Sequence, residues 1–168
     1  MTFQVYDDFL PQEVFDDLTE FITNSSDFPW FFSESMTYDN DNQYQFFHNI
    51  YNVRRGGITS DFFPLFEPVL EKLGVKHLDR IKINLNPRTF AHETGGWHVD
   101  NHPTDPYQHT KTSILYLNSN NGSTEFKNFG RVEVKPNRVV TFDSSITHRK
   151  VTCTDNAKRV IVNFNYDI

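Results

Sequence analysis

His98, Asp100, His148 and Arg159 are the side chains of this 168-residue chain whose types and order could do chemistry. They form a His-x-Asp pair, a distant His, and an Arg separated from that His by ten residues. Two imidazoles and one carboxylate on one face of a metal leave coordination positions open, the arrangement that holds non-heme Fe(II). An Arg adds a fixed cation with a forked set of donors, suited to a carboxylate. The set points to O₂ activation by iron with 2-oxoglutarate as co-substrate.

Such residues need strands to carry them. From Ile81 onward the chain reads as short strand-like runs between turn residues: 80–85, 97–100, 112–117, 123–127, 131–135, 138–143, 147–151 and 158–166. In a strand, side chains two apart point the same way, so a strand over 97–100 puts His98 and Asp100 on one side and Val99 on the other. His148 then comes from a neighbouring strand, after the apolar run Val139-Val140-Thr141-Phe142-Asp143 and a Ser144-Ser145 link. Asn120-Asn121-Gly122 and Lys135-Pro136-Asn137 mark tight turns. Strands at this spacing predict a mainly β fold, a double-sheet jelly roll. Two helices are predicted before it. Residues 11–24 carry Val14, Leu18, Phe21 and Ile22 on one face, with Pro11 in the first turn. Residues 60–73 end at Gly74, with Pro68 deep enough to kink or break the helix. Packed on one sheet, these helices complete a single domain over 1–168, its N-terminal helical and loop part covering 1–79 and its jelly-roll core 80–168.

Other ligand sets fit less well. His98 and His102 would bind zinc together on a helix, but Gly95-Gly96 before them and Pro103 after them oppose one. His92-Glu93 opens like a zinc-protease helix and has Gly96 where the second His belongs. His48, His77 and His109 have no partner at ligand spacing, although His109 and His102 could rim the site.

The run Arg159-Val160-Ile161-Val162-Asn163-Phe164-Asn165 alternates as a strand, with Arg159 and Asn163 on one face and Val160, Val162 and Phe164 on the other. An inward Arg is costly unless an anion pairs with it, and a dicarboxylic co-substrate supplies one. Tyr116, in Ile114-Leu115-Tyr116-Leu117-Asn118, could give that carboxylate a second contact; a packed core tyrosine with a satisfied hydroxyl is the other reading.

From about Ile81 to Tyr166 the chain resembles the Fe(II)/2-oxoglutarate dioxygenases, in their prolyl-4-hydroxylase-like branch. The residues that carry the resemblance are His98-Val99-Asp100, Tyr116-Leu117-Asn118, Gly122-Ser123-Thr124-Glu125-Phe126, His148 and Arg159. It implies iron on His98, Asp100 and His148 and 2-oxoglutarate on Arg159, with Tyr116 on the same carboxylate. Asn84, on the strand before the metal motif, is a further contact. Asn163 stands where those enzymes often have a Thr. The resemblance also implies O₂ as reactant, ascorbate as reductant, and hydroxylation of a C–H, foremost that of a prolyl residue in a protein or peptide. A small metabolite or free amino acid is the alternative substrate. The nucleic-acid repair branch has a second Arg six residues after its clamp; Asn165 stands there, and base demethylation loses its signature. A non-enzymatic jelly-roll binding module and another metal enzyme of similar barrel shape are the rival functions; the last leaves Arg159 unexplained.

Composition narrows the setting. A net charge of -6 with no basic stripe argues against nucleic acid as partner. Cys153 is the single cysteine, which excludes an internal disulfide and favours a reducing compartment. The first residues lack the basic and apolar regions of a signal peptide, and no apolar run has membrane-spanning length, so a cytoplasmic protein is expected. Residues 25–50 hold eight aromatics among Ser, Asp and Asn with no clean period. They predict a loop with short strands that either overhangs the iron mouth, with Trp30 or Tyr38 on the substrate, or closes a sheet edge.

Overall fold

The computed structural model describes residues 2–39, 41–101, 104 and 106–168. Two antiparallel sheets face each other. The larger contains β1 (Phe3–Tyr6), β2 (Phe31–Ser33), β3 (Gln45–Asn52), β4 (Gly57–Ile58), β5 (His77–Pro87), β6 (Lys111–Tyr116), β9 (Val139–Asp143) and β11 (Lys158–Asp167). Its order is β1-β9-β6-β11-β5-β3-β2, with β4 on β3. The smaller sheet is β10-β7-β8, from β7 (Ser123–Phe126), β8 (Gly130–Glu133) and β10 (His148–Val151). This is the expected jelly roll.

Strand β11 shows why the two faces of the large sheet differ. Val160, Val162 and Phe164 are completely buried against α1 (Gln12–Thr19) and α2 (Glu67–Leu73), through Phe15, Leu18, Phe66 and Val69. Each such side chain contributes about 1.5–3 kcal/mol by leaving water, which holds the helices on that face. The alternate residues Arg159, Ile161, Asn163 and Asn165 point the other way. There Ile161 joins Ile114, Tyr116, Phe126, Val140 and Phe142 in a second core between the sheets. One strand thus serves a dry face and a partly polar one.

The helix expected over 11–24 is present as α1 continued by a wider turn over Glu20–Asn24. In the second, Pro68 lies in the first turn of α2, because a 3₁₀ turn over Phe63–Phe66 precedes it and no earlier helical carbonyl needs its missing N–H. Gly74 ends α2 in the left-handed conformation at φ 69°.

Two expectations need correction. The first 79 residues are not only helix and loop: β1 to β4 extend the large sheet, and β5 begins at His77. In β3 the period was hidden because polar Gln45 and His48 are buried beside apolar Ile50. The strand over 97–100 does not form either. His98 makes an isolated bridge to His148, and Thr94 one to Val151. Gly95 keeps the first register by donating to Lys150 O, and the slip of one residue falls at Gly96-Trp97, a bulge that frees the chain to turn away at Asp100.

Candidate metal centre and its cavity

The sheet edge at β10 brings the three predicted ligands together. His98 and His148 exchange both backbone hydrogen bonds, His98 N–H to His148 O at 3.0 Å and His148 N–H to His98 O at 2.9 Å. Past this bridge the N–H groups of Asp100 and Asn101 both reach Ser144 O, at 3.2 and 3.3 Å. Those contacts, rather than strand pleat, turn Asp100 back toward His98. The ligand atoms of His98, Asp100 and His148 all lie within 4.8 Å of one another. Nε2 of His98 is 3.8 Å from Asp100 Oδ1, and Nε2 of His148 is 3.9 Å from Asp100 Oδ2.

Each histidine's other nitrogen faces a carbonyl: Nδ1 of His98 lies 3.1 Å from Gly96 O, and Nδ1 of His148 lies 3.0 Å from Ile146 O. A carbonyl only accepts, so both Nδ1 atoms carry the proton and both Nε2 lone pairs point inward. Burial pushes the His148 pKa down against the pull of Asp100. Phe126 and Phe142 hold that ring, at centroid distances of 5.8 and 4.8 Å.

Burial would raise the Asp100 pKa, but His148, Arg80, His98 and the Thr112 hydroxyl outweigh it and hold the carboxyl well below the carboxylate range. Its Oδ2 accepts from Thr112 Oγ1 at 2.9 Å and from Asn165 Nδ2 at 3.3 Å. The side chains of Asp100 and His148 are 5% and 4% exposed, against 32% for His98, so the centre is open on the His98 side. Two imidazoles and a carboxylate in this arrangement are a donor set that fits Fe(II).

The three residues line a cavity of about 660 Å³, within the range of small-ligand sites. Arg159 lies in the same cavity at 1% exposure. Its Nη2 donates to Ser123 O and Thr124 Oγ1, both at 3.1 Å, and Nη1 to Asn86 Oδ1 at 3.4 Å, while buried Nε has no partner. Among the described residues no carboxylate forms an ion pair with it. Asn84 and Asn163 also line the cavity, each with a buried Oδ1 that accepts no hydrogen bond.

Tyr116 is placed differently. It is fully buried, its ring 5.8 Å from the Arg159 guanidinium and its hydroxyl donating to Thr124 Oγ1 at 2.8 Å; Thr124, not Tyr116, lines the cavity. Thr124 Oγ1 accepts from both Tyr116 and Arg159, leaving its own hydrogen to donate into the cavity. His109 is buried against Asp79 at 3.5 Å and does not line the cavity. His102, the other histidine expected at the rim, lies outside the described residues. His48 is hydrogen-bonded to Pro29 O and Ser60 Oγ.

Several cavity residues were not singled out from sequence: Arg80, Lys82, Asn86, Thr124 and Lys150. The signal for the first three was present. On β5, Arg80, Lys82, Asn84 and Asn86 alternate with Ile81, Ile83 and Leu85, a polar row facing the cavity opposite an apolar row facing the helices. Arg80 Nε donates to Asn165 Oδ1 at 2.9 Å, so Asn165 links Arg80 to Asp100. Burial lowers the Lys82 pKa to about 8 with help from Arg80, and burial and Arg159 do the same to Lys150.

Residues 25–50 divide. The Asp41 carboxylate accepts from the backbone N–H groups of Met36, Thr37, Tyr38 and Gln43, and the turn so formed lays Met36, Thr37 and Tyr38 along the cavity. Tyr38 donates to Trp97 O. Trp30 instead packs on the helical core beside Phe28, at 5.0 Å.

No protein-family model matches the sequence, and no curated protein does. Solved structures do resemble the fold. A viral collagen prolyl hydroxylase of Paramecium bursaria Chlorella virus-1, in a 2OG complex, superposes with a TM-score of 0.66 at 11% identity over 98% of this chain and 95% of that one. A 2OG-Fe(II) oxygenase family oxidoreductase of Burkholderia pseudomallei gives 0.65 at 12% identity over 98% and 84%. A Trichoplax adhaerens prolyl hydroxylase, in complex with a hypoxia inducible factor oxygen degradation domain peptide fragment, gives 0.64 at 14% identity over 98% and 83%. In fold, therefore, this chain is a jelly roll of the kind that prolyl hydroxylases and other 2OG-Fe(II) oxygenases share.

Proposed function

We propose that the protein is an Fe(II)- and 2-oxoglutarate-dependent dioxygenase that hydroxylates a C–H of its substrate. The observation that carries this reading is the convergence of His98, Asp100 and His148 in one cavity with a buried guanidinium that no carboxylate pairs among the described residues. His98, Asp100 and His148 would hold the iron, whose chemistry with O₂ and 2-oxoglutarate supplies the oxidation, releasing succinate and CO₂. Arg159 binds the far carboxylate of the co-substrate through charge-assisted hydrogen bonds, and Thr124 donates a further one. Tyr116 acts behind them, fixing the Thr124 hydroxyl. Asn84 and Asn163 offer their amides along the cavity floor. Thr112 and Asn165 fix the Asp100 carboxylate, and the Met36–Tyr38 turn limits access of water to the site.

A prolyl residue in a peptide is the substrate that the fold likeness favours, since one prolyl hydroxylase of this fold is seen in complex with a peptide fragment. The cations in the cavity favour an acidic small molecule as the second reading. A reductant such as ascorbate would sustain turnover. The test is direct: anaerobic addition of Fe(II) and 2-oxoglutarate should produce a weak visible charge-transfer band, and O₂ should then release succinate. No band in the wild-type protein, or an undiminished band in Asp100→Ala, would end this reading.

A further inference from the structure

Four cations enter the cavity, and they stand as two pairs. Lys150 and Arg159 are one, with Arg159 helping burial to lower the Lys150 pKa; Arg80 and Lys82 are the other, with Arg80 adding to burial at Lys82. Lys82 and Asn86, the register partner of Arg159, are four residues apart on β5, about 13 Å of strand. The pairs therefore mark opposite ends of the cavity floor. Among the described residues none of the four makes an ion pair with a carboxylate, and Asp100 is the one acid lining the cavity. Fe(II) and the 2-oxoglutarate dianion cancel each other in charge, so binding them leaves this excess in place. A buried excess of cations draws a further anion.

The position of Lys82 says where that anion belongs. Asn165, the register partner of Arg80, binds Asp100, which sets this pair at the metal end. Lys82 Nζ stands 4.9 Å over the ring of Phe47, and Phe47 lies 6.2 Å from the exposed ring of Phe31 at the sheet edge. The ammonium thus lines the cavity of the candidate ligands and also touches an aromatic pair whose outer ring is open to solvent. A substrate that reaches the metal past those rings meets Lys82.

We propose that Arg80 and Lys82 form a second anion subsite that binds a carboxylate of the substrate, close to the carbon that is hydroxylated. The inference rests on the dioxygenase reading above and names its substrate class: an acid. The carboxylate belongs either to a free amino acid or organic acid, or to an acidic residue beside the target in a peptide.

Paired probes that differ only in charge test this. Free L-proline, N-acetyl-L-proline and a Glu-Pro tetrapeptide are each titrated against the matching amide (a Gln-Pro tetrapeptide for the last) into the anaerobic Fe(II)–2-oxoglutarate protein. Binding is followed by calorimetry and by the change in the visible band. At least one acid should bind about tenfold or more tightly than its amide, the size of one charge-assisted hydrogen bond. That ratio should fall to near one in Lys82→Met and return in Lys82→Arg, while the 2-oxoglutarate Kd stays within about twofold. Preference for the free acids points to a small-molecule substrate, and preference for the Glu-Pro peptide alone to a peptide. The subsite is overturned if no acid binds better than its amide, or if the preference survives Lys82→Met. It is equally overturned if Lys82→Met weakens 2-oxoglutarate as much as loss of Arg159 does, which would assign the pair to the co-substrate. Failure of the dioxygenase reading is separate, since it removes the visible band before any probe is added.

Discussion

Arg159→Met separates a co-substrate clamp from a structural arginine. The guanidinium is 1% exposed and is held by Ser123 O, Thr124 Oγ1 and Asn86 Oδ1, with no carboxylate partner among the described residues. For folding, methionine fills similar apolar volume and removes a costly buried charge. Against that, Ser123 O and Thr124 Oγ1 each lose a donor, at about 1 kcal/mol apiece. These effects offset, and Tm should move by no more than about 5 °C in either direction. For binding the outcome differs. Removing one partner of a buried charge pair costs about 2–5 kcal/mol, because the other charge stays buried. Lys150 and Thr124 remain in the cavity, so the lower part of that range applies. A loss of about 2–3 kcal/mol is a rise of about 30- to 160-fold in the 2-oxoglutarate Kd. The assay is anaerobic titration of the Fe(II) protein with 2-oxoglutarate, read by the visible band, with Fe(II) affinity measured in parallel and expected unchanged. Arg159→Lys should recover part of the loss, since charge survives without the fork. Wild-type 2-oxoglutarate affinity in Arg159→Met would refute the clamp, and an equal loss of iron affinity would show that the variant acts through collapse of the site.

Three further outcomes follow from the same geometry. His98→Ala, Asp100→Ala and His148→Ala should each lose succinate release while far-UV circular dichroism stays native; near-normal turnover in any of them removes that residue from the ligand set. Gly122→Ala should weaken 2-oxoglutarate binding, because a Cβ there would stand 2.9 Å from Arg159 Cδ and 3.0 Å from the Val151 carbonyl; an unchanged Kd would mean that this close approach does not position the arginine. Lys82, at about 8 when folded against 10.5 as a free side chain, leaves the unfolded chain binding an extra proton between those values. Stability without ligands should therefore rise by about 2–3 kcal/mol from pH 8 to 10.5 and fall again as pH drops through 8; urea midpoints in that window that are the same for wild type and Lys82→Met would contradict it.

The candidate metal residues, an inward-facing Arg159 and the jelly-roll class were legible in the sequence because each rests on local pattern. His98-x-Asp100 is a two-residue spacing, and the alternation of Arg159, Ile161 and Asn163 against Val160, Val162 and Phe164 sorts one strand into two faces without knowledge of its neighbours. What tertiary structure alone decided is which groups meet. Strand pleat does not join His98 to Asp100. A bulge at Gly96-Trp97, the bridge to His148 and the carbonyl of Ser144 do so, and all three depend on how β10 is placed. Tyr116 carried the expected polar tip, yet the packing between the sheets turned that tip onto Thr124 and gave the cavity position to the threonine. Arg80 and Lys82 read as ordinary strand cations, because a period of two separates faces without saying which face meets water. Pairing of β5 between β3 and β11 turned that row into the cavity of His98, Asp100 and His148, where low dielectric makes a cation without a carboxylate partner a binding group.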